Sequence, residues 1–148
     1  MAESLGTLLH AAYMMEQVSL HALKERLGLA DDQDVLARFK AHIVETRWQA
    51  SLVKACMEFQ EIHTGAHDGG AVRLVGKMKT ENLFELKRFE IDLYKRVISF
   101  VRTQYAPEVL QACREILEQE VSMMEWIEDN HFKIKDLFSA EKRLPSSI

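Results

Sequence analysis

A chain of 148 residues with 47% hydrophobic and 28% charged content has the length of one domain, and can bury roughly two-thirds of its unfolded surface. Its formal charge of −4 and lack of a basic cluster give no electrostatic reason to expect nucleic acid or an anionic membrane as a partner. The N-terminal stretch MAESLGTLLHAAYMMEQ has no basic leading segment and is broken by Glu3, His10 and Glu16, so it reads as neither signal peptide nor membrane span, and cytoplasm is the expected compartment.

Only six glycines and two prolines punctuate the chain, and few runs alternate with period two, so helix dominates. A first helix is expected over about 3–27, with Leu5, Leu9, Ala12, Leu20, Leu23 and Leu27 on one face. Gly28 follows, placed for a left-handed cap. ADDQD offers Asp32 or Asp34 as the N-cap of a second helix, about 34–59. Its inward candidates are Val35, Phe39, Val53 and Cys56. Residues 60–79 hold four of the six glycines and read as a connection, with a short helical turn at its end. A third helix is expected over about 80–104. Pro107 suits the first turn of a fourth, about 107–130, before a polar tail ending RLPSSI.

Short turns make the first and second helices antiparallel neighbours, and likewise the third and fourth. The middle connection, about 19 residues, can span the length of a helix. The expected fold is therefore an all-α, ferritin-like antiparallel four-helix bundle with a long crossover between its second and third helices.

Four glutamates interrupt the apolar faces. Glu16 continues the line Leu5, Leu9, Ala12, Leu23. Glu90 lies among Leu83, Leu86, Val97 and Val101, and Glu120 continues Val109, Cys113, Ile116 and Ile127. In the second helix Lys40, Arg47 and Lys54 form an outward ridge, leaving Glu45 with His42 and Gln49 on the far side. Glu16 stands about 13 residues before the first turn and Glu45 about 15 after it; Glu90 stands about 15 before the second and Glu120 about 14 after it, so at 1.5 Å per residue their heights differ by about 3 Å. Four carboxylates converging in one core need compensation. Two divalent cations would supply it, and so would shared protons and hydrogen bonds.

The segments AAYMMEQ, KAHIVETRWQ, FEIDLY and ILEQEVSMM, one per helix, with His42, Glu45, Thr46 and Gln49 as the most specific group, resemble the YciF-like branch of the ferritin-like superfamily. Those are bacterial stress-associated proteins, and the resemblance covers about residues 5–128. It implies a cytoplasmic bundle, a homodimer, and a glutamate-rich centre holding iron or manganese as a dinuclear pair. Its ligands would be Glu16, Glu45, Glu90 and Glu120. His42, one turn before Glu45, is either the nitrogen donor that replaces a missing imidazole or a hydrogen-bonded core histidine. Iron-oxidising members carry Glu-x-x-His on two helices. Here Trp48 and Met123 stand three residues after Glu45 and Glu120, and neither can replace an imidazole on a hard iron ion. The alternative is a structural or interaction protein that keeps the bundle and has lost the metal chemistry.

The remaining candidates have plainer readings. Cys56 and Cys113 fall among apolar residues and read as buried free thiols. Tyr13 and Tyr94 lie within a helical turn of Glu16 and Glu90 and read as packing or as donors to those acids. His63 and His67 share no ligand geometry, because Gly65 argues against a helix between them. Trp48, Phe59, Phe100 and Trp126 exceed what one core can hide, and point to an oligomer contact.

Overall fold

The computed structural model describes residues 4–63, 68–76 and 82–134. Glu3, His67, Thr80 and the polar tail lie outside them. The elements are α1 (Leu5–Leu27), α2 (Gln33–Phe59), a short α3 (Gly69–Gly76), α4 (Leu83–Val101), α5 (Pro107–Asp129) and a one-turn α6 (His131–Ile134). The chain is an all-α bundle, and no strand occurs among the described residues. No helix among them is long and apolar enough to cross a membrane.

Each long helix begins where its local chemistry permits. Ser4 accepts from Thr7 N at the start of α1, and Asp32 accepts from Asp34 N and Val35 N at the start of α2. Asn82 accepts from Glu85 N at α4, while Pro107 opens α5, where a missing N–H costs nothing. The expected left-handed cap at Gly28 is not there: its φ is −65°, ordinary right-handed backbone. The left-handed residue is Glu61, with φ 59°. Ile62 N donates to Met57 O at 2.7 Å and Glu61 N to Glu58 O at 3.0 Å, a Schellman closure of α2 built on a residue with a Cβ.

α1 packs with α2, α4 with α5, and the two hairpins meet through α1 on α4 and α2 on α5. The connection between α2 and α4 joins opposite ends of the bundle. Its start is tied to the beginning of α1, where His63 O meets His10 Nε2 at 2.9 Å. Further along α1, Ser19 meets Lys87 while the earlier Glu16 meets Tyr94, so α4 runs antiparallel to α1 and starts at the opposite end. On the way α3 lies against α1. Thr7 Oγ1 donates to Asp68, which also accepts from Ala71 N. Gly70 sits where a Cβ would come 3.0 Å from Thr7 Cγ2, so the approach leaves little room for any side chain.

The apolar core includes Leu8, Leu9, Met15, Leu23, Phe39, Leu86, Val97 and Ile116. Trp126 is half-buried and stacks edge-on against Phe39, with ring centroids 6.1 Å apart, and Phe100 also packs on the core. Trp48 and Phe59 remain 43% and 64% exposed.

Candidate metal centre

The bundle's apolar faces carry fully buried polar groups at one level. α1 supplies Glu16 and Ser19, α2 supplies His42, α4 supplies Lys87, Glu90 and Tyr94, and α5 supplies Glu120. Each stands on its helix's inward stripe. Lys87 and Glu90 are one turn apart, and with Leu83 and Tyr94 they form the line i, i+4, i+7, i+11. Glu16, Glu90 and Glu120 each offer an oxygen within 4.8 Å of the others'.

The Lys87 ammonium lies among them. Its Nζ donates to Ser19 Oγ at 3.0 Å, to His42 Nε2 at 2.7 Å and to Glu120 Oε2 at 3.0 Å. An ammonium has three N–H groups, and these three bonds use them. Glu90 Oε2, 2.9 Å away, therefore has an ion-pair contact without an aligned hydrogen bond. Because lysine can only donate, His42 Nε2 accepts. The ring proton must then sit on Nδ1, which donates to Glu45 Oε1 at 2.8 Å. Tyr94 Oη donates to Glu16 Oε2.

Charge explains the protonation pattern. One ammonium faces three carboxylates. Burial, followed by repulsion from Glu90 and Glu120, holds the Glu16 carboxyl well above its usual range. Burial and then Glu120 push Glu90 up to about 8. Burial also works to raise Glu120, but the Lys87 charge outweighs it, and its carboxyl falls below the ordinary value. Burial and then the Lys87 charge lower His42, keeping it neutral, while the His42 hydrogen bond lowers Glu45. Burial opposes the charge on Lys87, but Glu120 and Glu90 raise its pKa overall.

Of the residues singled out by the sequence, Glu16, Glu90 and Glu120 come together, and His42 faces them through Lys87. Glu45 does not join them. It sits at the rim with its side chain 30% exposed, within 3.5 Å of Arg38, holding the far side of the His42 ring. Gln49 donates to Gln119 at 2.9 Å and not to the acids. Lys87 and Ser19 were missed. The available signal was the flanking of Lys87 by Leu83, Glu90 and Tyr94 at inward spacings.

A family model described as Domain of unknown function (DUF892) matches residues 1–140. A protein of Xanthomonas campestris pv. campestris, solved as a crystal structure, is similar in fold, with a TM-score of 0.74 and 23% identity over 95% of this chain and 97% of its own. No curated protein gives a significant match.

Proposed function

The chain belongs to the DUF892 family, within the ferritin-like superfamily, and from that premise we propose that it binds one divalent cation through Glu16, Glu90 and Glu120. A dinuclear carboxylate centre does not fit these residues. Glu45 is turned to the rim, Trp48 and Met123 stand where imidazoles would be needed, and Lys87 lies among the acids. A single cation does fit. The observation that carries this reading is that Glu16 Oε1, Glu90 Oε1 and Glu120 Oε1 are each buried without a hydrogen-bond partner. An orphaned buried acceptor costs on the order of 1–3 kcal/mol, more when charged, and one divalent ion beside the ammonium would balance the three carboxylates.

All-oxygen donors suit hard ions such as manganese or ferrous iron. Bound there, the ion would supply Lewis-acid or redox chemistry. The chain's own residues hold the site: Tyr94 fixes the Glu16 carboxyl, and Lys87 fixes Glu120. The motif resemblance to YciF-like proteins supports a stress-associated role for this site.

A second reading, a structural bundle whose acids are neutralised by Lys87 and protons, is favoured by the three hydrogen bonds and the ion pair that Lys87 makes. Thermal denaturation separates the two. Mn2+ at about 100 times its dissociation constant stabilises a binding protein by about 2.7 kcal/mol, and Glu90→Gln should abolish that gain. No gain for the wild type would leave the structural reading standing.

A further inference from the structure

The surroundings of Lys87 are themselves a ligand set. One imidazole nitrogen, two carboxylate oxygens and one hydroxyl, drawn from all four long helices, lie 2.7–3.0 Å from a single point, the lysine Nζ. A buried ammonium needs an acceptor for each of its three N–H groups; this one has four polar atoms around it, a nitrogen lone pair and two carboxylates among them. Behind the imidazole stands Glu45, accepting from Nδ1 at 2.8 Å. That carboxylate–imidazole arrangement is how metal-ligating histidines are oriented and kept in the tautomer that presents the other nitrogen.

We infer that the Lys87 ammonium is a resident substitute for a metal ion: it occupies a Ser19, His42, Glu90 and Glu120 ligand set and closes that position to metal. Joined to the single-cation reading above, on which this part rests, the centre holds one fixed organic cation and one exchangeable inorganic one. The geometry also says what removal of the lysine should do. A small divalent ion takes its oxygen ligands at roughly 2.1 Å. The four side chains would therefore close in by about 0.8 Å around the vacated point, a movement within reach of side chains on packed helices. Glu45 would change its role little, still orienting His42, now toward a metal. Glu45 and His42 thus belong to the lysine's position, which accounts for Glu45 standing at the rim and not among the three acids.

The test is a metal count per chain on wild type and Lys87→Ala, both treated with chelator, reloaded with Mn2+ and desalted, with electron paramagnetic resonance of each. Wild type should take up one ion with the spectrum of isolated Mn2+, and Lys87→Ala two ions with an exchange-coupled spectrum. If wild type takes none and Lys87→Ala takes one or more, the lysine substitution stands and the single-cation function falls. Two ions in wild type overturn the inference, as do equal counts in the two proteins. Should Lys87→Ala fold only with Mn2+, the metal-dependent folding is itself the expected replacement. If neither Lys87→Ala nor Lys87→Gln folds even with Mn2+, an ion cannot take the lysine's place and the inference fails.

Discussion

Glu90→Gln removes a charge that the folded core resists. In the metal-free wild type, Glu90 binds its proton up to about pH 8, whereas its ordinary value is 4.5. Between those values the folded state holds a proton that the unfolded chain has released, so stability falls as pH rises, by roughly 1.4 kcal/mol per pH unit. From pH 5.5 to 7.5 the Glu90 share amounts to about 3 kcal/mol, or about 6–12 °C in melting temperature for a chain of this size. Glu16, also held above its ordinary value, adds to the wild-type decline in the same direction. His42, held neutral by burial and Lys87, contributes a smaller rise up to its ordinary value, and comparing wild type with Glu90→Gln cancels it. Glu120, whose pKa is lowered, contributes stability above 4.5 that is lost only at more acid pH. The assay is thermal denaturation in chelating buffer at a series of pH values. The variant should gain on wild type steadily from pH 5.5 to 7.5, and excess Mn2+ should flatten the wild-type decline. A gap between the two proteins that stays constant across this range would refute the placement of Glu90.

Glu61→Gly relieves the one left-handed non-glycine residue among those described, and should raise stability by about 0.5–1 kcal/mol in chemical denaturation; a loss would mean that the Glu61 side chain contributes more than its backbone costs. Burial pushes the Cys56 thiol up to about 11 and the Cys113 thiol up to about 12, so neither should react with an aromatic disulfide reagent at pH 8 until the protein unfolds; fast labelling of the native state would contradict this. Val44, Trp48 and Phe59, exposed by 65%, 43% and 64%, recur at helical spacing on the outer face of α2, and we propose that they form a two-fold dimer contact. Sedimentation at tens of micromolar should show a dimer that Trp48→Glu dissociates, and a monomeric wild type would count against it.

The bundle was legible because apolar residues recur at helical spacing and the turns are sparse. Glu16, Glu90 and Glu120 were legible because each interrupts a clean apolar line. α2 gave a poorer guide. Its buried line runs His42, Thr46, Gln49, Val53, mostly polar, and Glu45 is one residue, about 100° of rotation, from Thr46. The ridge of Lys40, Arg47 and Lys54 points Glu45 inward and the matching heights put it at the right level, but the helix turns its side chain to the rim. Lys87 was hidden for a different reason. Lysine is almost never fully buried without a partner, and its partners Ser19, His42 and Glu120 come from three other helices. Only the assembled bundle brings them to one point. The left-handed turn at Glu61 had no composition signal either, since glycine would be the expected residue there.

Anomalous scattering from crystals grown with Mn2+ tests the central claim most directly. The account predicts one manganese peak, among the oxygens of Glu16, Glu90 and Glu120, with Lys87 Nζ still within hydrogen-bonding reach of His42 and Glu120. Two peaks, with Lys87 swung away from Glu120, or no peak among the three carboxylates, would contradict it.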